Sequence, residues 1–115
     1  MDSQRTSLVG GFSMPREVML QMPRITRSEN DDDSQSLVLT FLCSVLFPAS
    51  GAINKTPEIA DSKIAEWSRR DASKILAALE DLAARCVIIR EEQPSGGFCY
   101  QLLYGNWATL PEMSR

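Results

Sequence analysis

Apolar residues recur along this chain with two different periods, and the change between them divides the sequence. Leu37, Val38, Phe41, Leu42, Val45 and Leu46 follow helical spacing, with Thr40 and Ser44 the polar interruptions. A helix this apolar is expected to be buried on most of its circumference. Asp33 or Ser34 caps its start, where a side-chain oxygen meets unpaired amides and acidic charge meets the positive end of the dipole. Pro48 ends it. A second helix is predicted from Thr56-Pro57-Glu58: a hydroxyl cap, a proline at the first position and an acid in the first turn. Its apolar positions are Ile59, Ala60, Ile64, Ala65 and Trp67. Asp61-Ser62 offers a separate start, leaving one bent helix or two open. Asp71 caps a third helix, with Ile75, Leu76, Leu79, Leu82 and Ala83 on one stripe and Ser73, Lys74, Ala77, Glu80, Asp81 and Ala84 opposite.

At Cys86 the period falls to two. Val87-Ile88-Ile89 reads as a strand, Pro94-Ser95-Gly96-Gly97 as a turn, and residues 98–104 as the return. A turn centred between Ser95 and Gly96 sets Ile89 opposite Leu102, Val87 opposite Tyr104 and Arg90 opposite Gln101. The pattern thus predicts helices near residues 35–47, 57–67 and 71–84 and a hairpin near 86–104. Ala52-Ile53-Asn54 is the candidate for a short third strand. The expected core is Leu37, Phe41, Val45, Ile64, Ile75, Leu79, Leu82, Val87, Ile89 and Leu102.

Residues 1–33 have a different texture, with four basic against six acidic side chains, and only Leu8-Val9 and residues 18–22 offer apolar surface. Ser13 with Pro15 close behind starts a short helix through Met22, and Pro23 opposes its continuation. This is read as a flexible arm with one short helix or strand that docks on the body or on a partner, through Met19 and Met22. Arg16, Arg24 and Arg27 are candidate phosphate contacts on it. Residues 34–107 form the folded domain and 108–115 a tail. Tyr100, Tyr104 and Trp107 suggest that the tail folds back on the body; in the alternative, Trp107 and Leu110 anchor an interface.

At 115 residues and 43% hydrophobic content, the chain fits one domain with a real but small core. Its net charge of -3 supplies no global positive field, so nucleic acid would have to meet a local patch. Cys43, Cys86 and Cys99 are widely spaced, form no CxxC motif and read as reduced, mostly buried thiols of a cytoplasmic (or, in a eukaryote, nuclear) protein. Neither a secretory start nor an apolar run long enough for a bilayer is expected. Histidine is absent, which removes the usual base near neutral pH and the commonest neutral metal ligand. Glu91 and Glu92 alternate faces of a strand, and Gly96-Gly97 lacks the lysine and helix of a phosphate loop. No thiol has a base close by in the sequence or stands at a predicted helix start, the settings of reactive cysteines. The expectation is a non-catalytic protein with no cofactor or metal.

Two helices at a sharp junction followed by a hairpin resemble the winged helix-turn-helix superfamily, a mainly α fold with a small β-hairpin (α+β). The resemblance spans residues 35–104: a buried first helix, Ile64-Ala65 in a short second, a polar turn at Ser68-Arg69-Arg70-Asp71, Leu79-Glu80-Asp81-Leu82 closing the third, and Val87-Ile88-Ile89 entering the wing. Many relatives carry a glycine where the third helix meets the strand; here Arg85-Cys86 stands there.

The resemblance implies a transcriptional or accessory regulator that binds duplex DNA with the N-terminal half of the third helix. Arg70 or Lys74 would reach guanine edges, Ser73 a phosphate or base edge, and Ala77 a thymine methyl. Lys63 and Arg69 would hold phosphates, and Arg90 is the wing's base. Against this, residues 34–107 carry seven basic and eight acidic side chains, so a homodimer would have to supply a second half-site. The alternative implied by the same fold is a protein-interaction subunit or inhibitor that does not bind DNA and pairs with a hetero-partner.

Overall fold

In a computed structural model that describes residues 13–27 and 32–113, the elements run α1 (Arg16–Ile25), α2 (Ser34–Leu46), α3 (Asp61–Ser68), α4 (Ala72–Ala84), β1 (Ile88–Glu92) and β2 (Phe98–Leu102), then a 3-10 turn at Tyr104–Thr109. The Leu8-Val9 pair, Glu29 and Asp31 lie outside the described residues. A small helical bundle with a two-stranded antiparallel hairpin is compatible with a winged-helix-like architecture.

α2 runs through the centre, with Val38, Leu39, Leu42, Cys43 and Leu46 buried; Leu37 and Val45 are half-buried. Its start is capped by neither Asp33 nor Ser34. The Asp32 carboxylate accepts the Ser34 backbone N–H and hydroxyl, and those hydrogen bonds hold its pKa below the ordinary carboxylate value. α4 buries Ile75, Ala78, Leu79 and Leu82 against it. Leu76, expected on that stripe, is exposed, and Ala78 takes the inward place.

The predicted start at Thr56 is not a helix start. The Thr56 hydroxyl accepts the backbone N–H of Tyr100 (3.0 Å), and the Thr56 N–H donates to the Tyr100 carbonyl (2.9 Å). The segment instead runs alongside β2, with reciprocal backbone bonds between Ile59 and Phe98 (2.8 and 3.0 Å), and α3 begins only at Asp61. The short third-strand contact is therefore at Ile59; Ile53, proposed for it, is exposed.

The hairpin register differs from the expected one by a single residue. Gln93 N–H bonds to the Gly97 carbonyl and Gly96 N–H to the Gln93 carbonyl, so residues 94–96 make a three-residue loop with Gly96 at φ +98°. That is the type I turn plus left-handed residue that odd loops use. It sets Ile88 against Leu102, Ile89 against Gln101 and Arg90 against Tyr100. One residue of slip exchanges faces: Ile88 is 2% exposed and Ile89 40%.

α1 belongs to the packed body. Val18, Met22 and Ile25 are buried, and the helix continues past Pro23, which lies on the exposed side where its missing N–H leaves a carbonyl to solvent. Arg24 donates to the carbonyls of Trp107 (3.2 Å) and Leu110 (2.6 Å), and Met113 N–H returns a bond to Arg24 (2.8 Å). At the same C-terminal end of α1, Arg85 reaches the Ile25 carbonyl (2.7 Å) and Gln35 Oε1 (2.8 Å). Asp81 Oδ2 accepts from Gln35 (2.7 Å), Arg85 (3.0 Å) and Arg27 (3.1 Å).

Partial burial alone would raise the Asp81 pKa, but the hydrogen bonds from Gln35, Arg27 and Arg85 outweigh it and hold the carboxyl below its ordinary value. A group depressed by folding contributes stability above its unfolded pKa and loses it as pH falls through the folded value. Asp81→Asn is therefore expected to flatten the acid limb of the stability curve below about pH 4. Urea midpoints at neutral and acid pH measure this; equal acid losses in the two proteins would refute it.

At the junction of α4 and β1, Cys86 takes the left-handed conformation, at φ +64°. Cys86 N–H bonds to Ala83 O (3.1 Å) and Val87 N–H to Leu82 O (2.9 Å), the paired bonds of a Schellman ending. Cys86 is thereby exposed, contrary to the buried thiol expected; Cys43 is buried, which pushes its thiol pKa up to about 12, and Cys99 is intermediate. All three are free. Cys86→Gly should stabilise the fold by about 0.5–1 kcal/mol, the left-handed strain relieved less the extra chain entropy. A denaturation midpoint that fails to rise would contradict this.

Candidate nucleic-acid interface

The corner between α3 and α4 is made by Arg69-Arg70-Asp71. Arg69 ends α3 in the left-handed conformation (φ 58°, ψ 42°), its N–H bonded to the Ala65 carbonyl, and Arg70 N–H reaches the same oxygen (3.3 Å). Asp71 precedes α4 without a side-chain cap bond. The sharp turn leaves the N-terminal half of α4 uncovered, with Ala72, Ser73, Lys74 and Ala77 exposed. Lys63 and Arg69 are exposed beside it. Among the described residues, Lys63, Arg69 and Lys74 form no ion pair. A cleft of about 360 Å³ opens between this face and the start of α2, lined on the α4 side by Ser73, Lys74 and Ala77.

Four of the expected cationic contacts are engaged elsewhere: Arg24 and Arg27 in the bonds described above, and Arg70 and Arg90 in ion pairs. Arg70 makes a fork on Asp33, Nε to Oδ1 at 3.0 Å, Nη2 to Oδ1 at 2.8 Å and Nη2 to Oδ2 at 3.1 Å. Arg90 faces inward from β1, donating to Asp61 Oδ2 (2.7 Å) and the Tyr100 hydroxyl (3.3 Å), with its guanidinium 3.7 Å from the Phe98 ring centre. The one-residue register change turned Arg90 in as it turned Ile89 out. Burial pushes the Tyr100 hydroxyl up to about 12, so the phenol stays neutral in this cluster.

The wing therefore presents acid. Glu91 and Glu92 are exposed on it, Glu91 pairing with Lys55 (2.9 Å). Glu58 accepts the Gly97 N–H (2.9 Å) and the Ser95 hydroxyl, fastening the wing tip to the strand-like segment ahead of α3. A Cβ at Gly97 would come within 2.5 Å of the Glu58 side chain, so a larger residue there would push that flexible carboxylate off the wing tip. No pattern in the sequence marks Glu58 as the wing's anchor, because its partner is a backbone amide 39 positions away.

The four residues nominated as partner contacts separate. Met22 and Trp107 are buried, Trp107 completely, with its indole N–H on the Val87 carbonyl at 2.9 Å. Leu110 is half-buried under Arg24. Met19 remains exposed, joined on the outer side of α1 by exposed Leu20 and Pro23. Trp67 on α3 is a further exposed aromatic, edge-on to Phe41 at 5.2 Å. Among the described residues, no group of three metal-ligating side chains converges, and no helix is long and apolar enough to cross a membrane. A scan against protein-family models and searches of curated proteins and of solved structures each returned no match.

Proposed function

We propose that this chain is a non-catalytic DNA-binding regulator that meets the duplex with the head of α4 and keeps its wing off the phosphates. The observation that carries the reading is the uncovered N-terminal half of α4. Small side chains at Ala72, Ser73 and Ala77 let the helix backbone approach closely, and Lys74, Arg69 and Lys63 stand around it. A helix of that profile fits a major groove about 12 Å wide. Arg69 and Lys63 hold phosphates, while Ser73, Lys74 and Ala77 face base edges. Three cations per subunit are few, so the reading includes a homodimer on two half-sites.

The acidic wing and the apolar Met19-Leu20-Pro23 face favour a second reading, a protein-docking subunit with no duplex affinity. Anisotropy titration of a labelled random duplex at about 50 mM salt separates the two, because non-specific binding there is nearly all phosphate neutralisation. Binding that weakens steeply with added salt supports the regulator; none at tens of micromolar protein supports the docking subunit.

A further inference from the structure

We propose that the acidic segment ahead of α2 restrains this same surface: Asp33 holds Arg70 in a closed ion pair, and duplex phosphate must displace the carboxylate to recruit Arg70. The inference rests on the DNA reading above and adds its regulation. Arg70 stands in the α3–α4 corner, between Arg69 at the end of α3 and Asp71 at the head of α4. Position alone would make it the best-sited phosphate contact of the surface. The structure turns it back instead, with three charge-assisted bonds to a single carboxylate. A guanidinium fork fits carboxylate and phosphate alike, so Asp33 occupies the group that a phosphate would take.

Among the described residues the Asp33 carboxylate makes no hydrogen bond other than those to Arg70. It is the residue before α2, but its side chain makes no cap bond. The capping is done by Asp32, which accepts from Ser34. The pair is also displaceable. The Arg70 and Asp33 side chains are 37% and 48% exposed, and ion pairs that wet are weak and screened by salt. The remaining Arg70 bonds, to the carbonyls of Ser68 (3.4 Å) and Arg69 (3.2 Å), are long. Nothing buried has to move when the fork opens. The restraint is thus an exchange of one anion for another, and it lowers the affinity for every duplex without touching a base contact.

Removing an acid near DNA tightens binding by general electrostatics as well, so the test must separate the local pair from the field. The experiment is a double-mutant cycle on the full chain, with Asp33→Asn, Arg70→Ala and the double variant titrated against a labelled random duplex at about 50 mM salt. Thermal unfolding of each variant verifies the fold. Asp33→Asn is expected to tighten binding about three- to tenfold and to steepen the salt dependence, because Arg70 is released to phosphate. In the Arg70→Ala background the same substitution should gain little. A gain of equal size in both backgrounds, or no gain from Asp33→Asn while the parent binds, would overturn the restraint and leave the DNA reading standing. Absence of binding by the parent and all three variants would overturn both.

Discussion

Replacing Trp107 with alanine is expected to cost about 3–5 kcal/mol, the range for deleting a large buried aromatic and leaving its cavity. The indole is fully buried and donates to the Val87 carbonyl, at the point where the chain leaves α4 for β1. Its own carbonyl accepts from Arg24, so the residue joins α1, the tail and the wing entry. Val87 O keeps its bond from Leu103 N–H, which limits the loss to packing and one hydrogen bond. Because a domain of this size has a total stability of about 5–15 kcal/mol, a measurable unfolded fraction should appear at room temperature. Urea denaturation followed by circular dichroism measures it. Tryptophan emission should shift to the red in the folded variant, since the remaining Trp67 is half exposed. A loss below about 1 kcal/mol would show that the tail does not close the core as described.

Arg69→Ala with Lys74→Ala is expected to weaken duplex binding by about ten- to a hundredfold and to reduce the log-log salt slope by about two. Both side chains are exposed at the head of α4, and neither is paired with a carboxylate among the described residues. Their loss should leave the fold intact, with Arg69→Gly as the check on the left-handed turn: glycine removes the cation and keeps the conformation. Glu91→Gln with Glu92→Gln should leave affinity unchanged or slightly tighter, because in the proposed docking the wing stands away from the phosphates. A double variant at α4 that binds as the parent does would move the interface elsewhere on the molecule.

The α4 head was legible because it depends on local rules. An acid before a strong helix former, apolar spacing of three and four, and small residues on the outer side mark Ala72–Ala84 and its exposed face within one stretch of sequence. Of the basic residues nominated around it, Lys74 on α4, Lys63 on α3 and Arg69 in the turn between them are exposed. Spacing alone makes Arg70 and Arg90 surface cations, because their partners, Asp33 and Asp61, sit 37 and 29 positions away. Nothing in sequence spacing announces a contact made only when distant elements pack.

The sequence by itself determined the central buried helix, the α3–turn–α4 corner, the two-stranded hairpin and seven buried core positions, Phe41, Ile64, Ile75, Leu79, Leu82, Val87 and Leu102. These follow from periodicity and backbone preference, which act over a few residues. The tertiary structure decided the rest. Thr56 had the signature of a helix start, yet its hydroxyl is taken by the Tyr100 amide because β2 lies beside it. The hairpin register was set by a three-residue loop in place of an even one, a difference of one residue that no alternation along either strand resolves. It turned Ile88 and Arg90 inward and Ile89 outward, and so made the wing acidic. α1 and Trp107 joined the core through bonds between the two ends of the chain, where pairing depends on closure in space and not on order along the sequence.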